Sequence, residues 1–271
     1  MNEFPQALTI AGSDSGGGAG MQADIKTMQE RQVFATNVVV AITAQNTLGV
    51  QTSFPLPPVV ITQQFASLAA DFKINACKTG MLADAEHVAV VAENLRRFDF
   101  GPLTLDPVMI AKGGATLLAD DAIETLRRDL LPLATVITPN LPEAEVLTGQ
   151  TIKTAADFKQ AAQALQKMGA KNVIVKGGHQ ANQAQSVDYV LYADGSDDWL
   201  ATPRIETVRT HGTGDTISAC LTAELAKGTP LKTAIQISKA FIQAAIANPI
   251  AVGHGHGPTN HWAFREANHN D

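Results

Sequence analysis

Short apolar runs alternate along the chain with longer segments in which apolar residues recur at helical spacing. The runs are "ALTIAG", "NVVVAITA", "INACKTG", "LTLDPV", "TVITPN" and "NVIVKGG". The segments between most of them predict helices over residues 21–31, 61–72, 86–97 and 121–130. This alternation is typical of a mainly parallel β-sheet with helices on both of its faces. It therefore places the chain in the α/β class.

The last third of the chain departs from strict alternation. Two further predicted strands, "VDYVLYA" and "DWLATP", follow the sixth run, and the short spacer between them favours a hairpin. Two helices, over residues 215–227 and 231–248, come next. The sequence contains no internal repeat, linker or low-complexity segment, so we predict that residues 1–271 form a single domain.

Composition and charge exclude several classes of protein. The 271 residues are 45% hydrophobic, which is enough for a large core, and the formal charge is −6 without any block of basic residues. We therefore expect neither nucleic acid nor an anionic membrane as a partner. Two distant cysteines, Cys77 and Cys220, do not suggest a disulfide framework. Together with the lack of a signal-peptide pattern or a long apolar stretch, this predicts a soluble, cytoplasmic protein.

Polar and glycine-rich segments follow the apolar runs at the points where the predicted strands end. In an open parallel sheet these positions share the carboxyl edge, which is where ligands bind. We therefore expect the residues of these segments to be neighbours in space: Gly12 to Gly18, Gln45, Asp106, Asn140 and Lys176.

The segment "HGTGDT" combines two glycines with one carboxylate at the start of a predicted helix. Gly212 and Gly214 allow a sharp turn whose N–H groups, at a helix N-terminus, bind phosphate or a developing negative charge. Asp215 is then either a helix cap or a general base beside a transferred phosphoryl group. As a base, it would be kept ionised by the helix dipole until it takes the proton.

Three other motifs each allow a structural and a functional interpretation. "GSDSGGGAG" lacks the spacing of a P-loop or of G-x-G-x-x-G, so it is a flexible turn or a loop that a small ligand approaches closely. Asn140 and Glu143 have the spacing of a capping box, and they also suit a hydrated Mg²⁺ ion with Asp106 nearby. Lys176 is either solvated or in contact with a nucleotide phosphate.

The histidines of "VGHGHGPTNHW" suggest zinc at first sight. His254, His256 and His261 lack the four-ligand pattern of a structural zinc site, so a glycine-rich loop with solvated histidines is the better interpretation.

Long stretches of this chain resemble the hydroxymethylpyrimidine and phosphomethylpyrimidine kinases of thiamine synthesis. The matching stretches are "ALTIAGSDSGGGAGMQADIKT", "ITAQNTLGVQ", "KTGML", "DPVMIAKGG", "ITPNLPEAEVLTG", "VIVKGGH", "HGTGDTISA" and "VGHGHGP". The resemblance implies a ribokinase-like, three-layer αβα fold with a mainly parallel central sheet. It also implies ATP and Mg²⁺ as co-substrates, a cytoplasmic homodimer, and transfer of the γ-phosphoryl group to a small pyrimidine.

The resemblance also implies roles for individual residues. Gln45 falls where the family hydrogen-bonds the pyrimidine, and Gly12, Ala19, Met81 and Val108 fall around the same pocket. Asp106, Asn140 and Glu143 resemble the Mg²⁺–phosphate group, mostly through water, and Lys176 resembles a nucleotide contact. Gly212, Thr213 and Gly214 resemble the anion hole, and residues 109–115 resemble the flap over the nucleotide.

One departure from the family leaves the substrate open. The family typically carries Cys at the position of Asp215, and a related branch that phosphorylates pyridoxal tends to carry a flap Cys at the position of Ala111. The alanine favours the pyrimidine, while the aspartate leaves pyridoxal, pyridoxine or pyridoxamine as the alternative. A non-catalytic nucleotide sensor is disfavoured because Asp215, Asn140, Glu143 and Lys176 are all present. A dinucleotide-dependent oxidoreductase is disfavoured because this sequence lacks the phosphate-binding glycine motif of that class.

Overall fold

A computed structural model describes residues 4–109, 120–178 and 184–264 of the chain. The ten strands are β1 (Gln6–Ala11), β2 (Phe34–Val39), β3 (Ala41–Asn46), β4 (Gly49–Pro55), β5 (Ala76–Thr79), β6 (Leu103–Leu105), β7 (Val136–Ile137), β8 (Asn172–Val175), β9 (Gln185–Leu191) and β10 (Asp197–Pro203). Eight of them form one sheet in the order β10-β9-β8-β7-β6-β5-β1-β2. From β2 to β8 neighbouring strands are parallel, and β9 and β10 add an antiparallel edge. The predicted parallel sheet and terminal hairpin are therefore confirmed.

The run "NVVVAITA" was predicted as one strand, and that prediction is wrong. The chain leaves the main sheet at Val40, whose N–H donates to the carbonyl of Ala11 and whose carbonyl accepts from Leu56. Beyond it, β3 pairs with β4 in a separate antiparallel hairpin. The error has a physical reason: an alternating apolar run satisfies either sheet, so periodicity does not show where a strand changes partner.

Helices cover both faces of the main sheet. They are α1 (Gly20–Glu30), α2 (Pro58–Asp71), α3 (Ala85–Arg97), α4 (Asp120–Thr125), α5 (Leu141–Thr148), α6 (Ala155–Lys167), α7 (Thr213–Ala226) and α8 (Leu231–Ala247). The helix predicted over 121–130 is shorter than expected, because a π-helical turn replaces the α-helix from Leu126 to Leu130. None of the helices in the described part of the chain is long and apolar enough to cross a membrane.

Alternating side chains of the strands divide the core into two layers. Leu8 and Ile10 of β1 point into the larger core beneath α2 to α6, which also contains Phe65. Ala7 points to the opposite face, where it packs with Ala219 and other small residues of α7. Because these side chains are small, α7 lies close to β1, β5 and β6. The N-terminus of α7 thereby reaches the carboxyl edge of the sheet.

Candidate active site

Asp106 and Lys176 form a buried ion pair at the carboxyl edge of the sheet. The Lys176 Nζ lies 3.1 Å from Asp106 Oδ1, and Asp106 is only 2% exposed. Thr138 donates to the same carboxylate oxygen at 3.2 Å, and Ser218 donates to Oδ2 at 3.1 Å. Burial raises the pKa of Asp106, but the charges of Lys176 and Lys78 and these hydrogen bonds outweigh it and lower the pKa. Lys176 is thus held in the site rather than solvated.

Asn140 and Glu143 form the predicted capping box at the start of α5. Glu143 N–H donates to the Asn140 side chain at 2.9 Å, and Asn140 N–H donates to the Glu143 carboxylate at 2.8 Å. The capping interaction fixes the Glu143 carboxyl beside the ion pair, where the protein buries it. Burial raises the pKa of Glu143 to about 7, with a further contribution from the charge of Asp106 and an opposing one from Lys176. The Glu143 carboxyl is therefore affected by one positive and one negative charge, those of Lys176 and Asp106.

The segment "HGTGDT" turns sharply and opens α7. Gly212 is the N-cap residue at φ 79°, and its helix begins at Thr213, two residues earlier than predicted. Thr216 N–H makes an intrahelical bond to Gly212, so the N–H groups of Gly214 and Asp215 lie in the unpaired first turn of the helix. A Cβ atom on Gly214 would lie 3.5 Å from both Asp106 Oδ2 and Lys176 Nζ. The predicted anion-binding turn, residues 212–215, and the ion pair therefore lie side by side.

Asp215 does not cap α7, because the N-cap is Gly212 and no side chain makes a capping bond there. The expectation that the helix dipole keeps Asp215 ionised also needs correction. Burial raises its pKa, and the charge of Asp106 adds to this effect, whereas Lys78, His211 and Lys176 lower the pKa. The net shift is upward, so burial outweighs the surrounding cations and disfavours the ionised carboxylate.

Asp14 organises the glycine loop after β1. Its carboxylate accepts hydrogen bonds from the N–H groups of Gly16, Gly18 and Ala19 at 2.8, 3.0 and 2.9 Å, and Gly17 N–H donates to its carbonyl. These bonds occupy the N–H groups of Gly16, Gly17 and Gly18, so the loop does not present them to a ligand. An Asp two residues before a glycine is a common turn signal, and it marked this closed loop in the sequence.

His211 connects the two glycine-rich segments, and the sequence analysis missed it. Its Nε2 lies 3.0 Å from Asp14 Oδ2 and 3.3 Å from the terminal amide of Gln45. An N–H at Nε2 donates to the Asp14 carboxylate, so the Gln45 group that faces His211 is assigned as its carbonyl oxygen. The Gln45 NH₂ group then faces Thr43, whose hydroxyl lies 3.3 Å away on the other side of the amide.

The residues predicted to surround the ring lie on the glycine loop, on the β3–β4 hairpin and after β5 and β6. Gln45 stands on β3, so it reaches the site from the hairpin and not from the carboxyl edge of the parallel sheet, as was expected. Gly12 N–H donates to the Met81 carbonyl at 3.1 Å, and a Cβ on Gly12 would lie 2.4 Å from the Met81 methyl group. Val108 lies two residues after Asp106, and its N–H donates to the Asp106 carbonyl at 2.9 Å. Ala19 N–H donates to the Asp14 carboxylate, which fixes Ala19 at the end of the glycine loop.

Two expectations about loops have different outcomes. Of the flap over 109–115, Met109 is buried, whereas residues 110–115, including Ala111, lie outside the described residues.

His254 and His256 are exposed as expected. His261 is not solvated: it is 6% exposed, and its Nε2 lies 3.2 Å from the Thr216 hydroxyl in the first turns of α7. The C-terminal loop thus supports the helix that carries Asp215.

A second buried ion pair, between Lys78 of β5 and Asp24 of α1, was also missed. The Nζ–Oδ1 distance is 2.5 Å, and both side chains are fully buried. A lysine inside the apolar run "INACKTG" was a signal for it, because an unpaired buried lysine is rare.

Comparisons with known proteins show the family to which the chain is similar. The family model for phosphomethylpyrimidine kinase matches residues 14–260. The chain is 57% identical to the hydroxymethylpyrimidine/phosphomethylpyrimidine kinase of Haemophilus influenzae, over 97% of this chain and 99% of that protein. It is 50% identical to the enzyme of the same name from Bacillus subtilis, over 96% of both chains.

Solved structures share the ribokinase-like fold. An ADP complex of Bacillus subtilis pyridoxal kinase has a TM-score of 0.89 at 38% identity, covering 97% of this chain and all of that one. Staphylococcus aureus pyridoxal kinase with AMP-PCP and pyridoxal has a TM-score of 0.88 at 35% identity, covering 97% and 95%. The phosphomethylpyrimidine kinase of Clostridium difficile has a TM-score of 0.79 at 38% identity, covering 90% and 100%. From the extent of the family match and the identity to these relatives, the chain belongs to the phosphomethylpyrimidine kinase family of small-molecule kinases.

Proposed function

We propose that the protein phosphorylates 4-amino-5-hydroxymethyl-2-methylpyrimidine and its monophosphate with ATP, as a step of thiamine biosynthesis in the cytoplasm, and that residues 1–271 form one kinase domain. The observation that carries the proposal is the placement of Asp215 in the first turn of α7, beside the Lys176–Asp106 pair. Relatives at 57% and 50% identity bear the corresponding enzyme name. Binding of ATP is supported by the ADP and AMP-PCP complexes of the structural neighbours.

In the proposed reaction, the chain positions three groups around one phosphorus atom. The unpaired N–H groups at Gly214 and Asp215 and the Lys176 ammonium bind the γ-phosphoryl oxygens as negative charge develops on them. The substrate hydroxyl oxygen attacks the phosphorus, the bond from phosphorus to the bridging oxygen of ADP breaks, and the Asp215 carboxylate takes the hydroxyl proton. Asp215 must be ionised before the step and is neutral after it.

Asp106, Asn140 and Glu143 would hold Mg²⁺, mostly through water. The residues present fit the ion, because two buried carboxyls share the single ammonium of Lys176, and the pKa of Glu143 is raised partly by the charge of Asp106. A bound Mg²⁺ supplies charge neutralisation at the phosphates. We expect Asn140→Ala and Glu143→Gln to raise the Mg²⁺ concentration needed for activity more than they lower thermal stability. An unchanged Mg²⁺ dependence with a parallel loss of stability and activity would leave only the capping role.

The ring is proposed to bind between Gln45 and the pocket formed by Gly12, Ala19, Met81 and Val108. With its carbonyl held toward His211 and one N–H directed toward Thr43, the Gln45 amide has a second N–H for a ring nitrogen and a second acceptor position on its oxygen. Pyridoxal remains the second candidate because the structural neighbours with TM-scores near 0.9 are pyridoxal kinases.

A homodimer is proposed through the exposed face of the β3–β4 hairpin. Ile42 and Phe54 are a cross-strand pair on that face and are 52% and 63% exposed. Large apolar side chains at such exposure mark association surfaces. Analytical ultracentrifugation of Ile42→Lys should show dissociation to monomers, with Val146→Lys as the control at another exposed apolar position. An unchanged mass for Ile42→Lys would contradict this interface.

The test of the proposed function is substrate-dependent ADP release. The wild-type protein should release ADP when the hydroxymethylpyrimidine and Mg²⁺ are present, and much less ADP when the pyrimidine is left out. Asp215→Asn should lower turnover by roughly 10²–10⁴-fold, the range for loss of a general base. Asp71→Asn, the same change at the exposed end of α2, should leave turnover unchanged. Near-normal turnover of Asp215→Asn would remove Asp215 from the reaction.

A further inference from the structure

The buried ion pair of Lys78 and Asp24 lies directly against the first turn of α7. Lys78 Nζ is 2.5 Å from Asp24 Oδ1 and 3.5 Å from the backbone carbonyl of Asp215. Thr9 of β1 donates to the other Asp24 oxygen at 2.5 Å. Three elements, β1, α1 and β5, thus hold one ammonium group next to residue 215.

Packing alone does not explain this pair. Both side chains are fully buried, and removing two charges from water costs as much as or more than their attraction returns. A pair of apolar side chains of the same volume would serve the core at least as well. The pair is therefore better explained by its position under Asp215 than by its contribution to stability.

The elements around Asp215 provide both signs of charge. The titratable and charged groups on them are Asp24, Lys26 and Glu30 of α1, Lys78 of β5, Asp106 after β6, Lys176 after β8, His211 before α7, Lys239 of α8 in its pair with Asp188, and His261 of the C-terminal loop. Burial has the largest effect on the pKa of Asp215 and raises it, and Lys78 provides the largest opposing effect. Among the cations, Lys78 therefore has the most influence on Asp215.

We propose that Lys78, held in place by Asp24, is a positioning residue for the Asp215 base. Its ammonium anchors the first turn of α7 through the carbonyl of residue 215 and sets a fixed positive charge behind the anion-binding turn. The inference rests on the proposed kinase function, in which Asp215 accepts the hydroxyl proton.

The arrangement has a consequence that a purely structural pair would not have. The charge of one ammonium acts on two carboxyls, those of Asp24 and Asp215. Replacing Lys78 with Met removes the cation, and Asp215 then ionises at higher pH. Replacing Asp24 with Asn leaves Lys78 to act on Asp215 alone, and Asp215 then ionises at lower pH. The two substitutions break the same ion pair yet move the titration in opposite directions.

The experiment measures kcat against pH for the wild type, Lys78→Met, Asp24→Asn and the double variant. We expect the midpoint of the acidic limb of the kcat profile to move to higher pH by about one unit or more in Lys78→Met. In Asp24→Asn we expect this midpoint to move to lower pH. Both shifts are in line with the usual effect of a charge within a few ångströms. The double variant replaces both charges by neutral groups of similar shape, so it should fold while its acidic limb lies above that of the wild type. Lys159→Met and Asp197→Asn, which break an exposed 2.8 Å pair, are the matched controls and should leave the limb unchanged.

A second measurement does not depend on the substrate. Proteins with ¹³C-labelled aspartate carboxyls are titrated by NMR, and the Asp215 signal is the one absent from Asp215→Asn. The same opposite shifts are expected there, even if the wild type does not phosphorylate the pyrimidine. That result would refute the proposed substrate and leave this inference intact. Shifts in the same direction, or stability losses without any shift, would overturn the role of Lys78.

Discussion

Gly212→Ala tests whether the two glycine-rich loops meet as closely as the structure places them. Gly212 has φ 79°, and a Cβ atom there would lie 1.9 Å from the Gly18 carbonyl oxygen and 3.2 Å from the Ala19 Cα. The backbone conformation alone costs an L-residue roughly 1–2 kcal/mol. Forcing the two loops apart should add roughly 1–3 kcal/mol, as for other overpacked sites. We therefore expect a total loss of roughly 2–5 kcal/mol in the free energy of unfolding.

Gly228→Ala is the matched control. Gly228 also has φ 79°, but no atom lies within 4 Å of the position of its Cβ. It should therefore lose only the conformational part, about 1–2 kcal/mol. Urea denaturation of both variants separates the two contributions, because the difference between them reports the contact with Gly18 alone.

Gly212→Ala should also impair the phosphoryl transfer reaction. Moving Gly18 displaces the loop that Asp14 holds, and with it His211 and Gln45. Misplacement of a site by about 1 Å commonly lowers turnover by roughly 10²-fold. We expect kcat to fall by about that factor in Gly212→Ala and to stay unchanged in Gly228→Ala. Equal stability losses in the two variants, with normal turnover in both, would refute the close approach of the loops.

Three further predictions follow from single contacts. Lys176→Met leaves Asp106 buried without its nearest cation and should lower the free energy of unfolding by about 3–5 kcal/mol, whereas the double change with Asp106→Asn should recover much of the stability and none of the activity. Burial and the charge of Lys26 lower the pKa of His261 from 6.5 to about 4. The unfolded chain therefore binds the proton first, so stability is full above pH 6.5 and falls by roughly 3 kcal/mol as the pH drops toward 4; urea titrations of His261→Gln should lack most of this slope. Gln45→Leu should lower kcat/KM for the pyrimidine by a factor equivalent to about 1–3 kcal/mol, which is the effect of leaving polar ring atoms unpaired. An unchanged kcat/KM would place the ring elsewhere.

Features that depend on neighbouring residues or on strand ends could be predicted from the sequence. The spacing of Asn140 and Glu143 is local, so the capping box follows from two letters three positions apart. Asp106 and Lys176 lie 70 residues apart, yet both follow parallel strands, and the shared carboxyl edge brings them together. Here topology alone supplied the contact.

Features that depend on contacts between layers could not be predicted. Lys78 and Asp24 belong to a strand and to a helix on one face of the sheet, and neither periodicity nor spacing pairs them. Gln45 reaches the pocket only because the chain leaves the main sheet at Val40. The bond between His211 and Asp14 joins residues 197 positions apart, across two loops whose glycines fit against each other. Such contacts depend on how the loops pack, which hydrophobic patterning leaves undetermined.

We propose that this site phosphorylates the hydroxymethylpyrimidine in preference to vitamin B6. The most direct measurement is a competition in which the wild-type protein, ATP and Mg²⁺ are incubated with equal concentrations of the pyrimidine and pyridoxal, and the products are followed by ³¹P NMR. We expect the pyrimidine monophosphate to form first, to be converted further to the diphosphate, and, together with the diphosphate, to exceed pyridoxal phosphate throughout. Faster formation of pyridoxal phosphate would contradict the substrate assignment, and no phosphorylated product from either compound would contradict the kinase function itself.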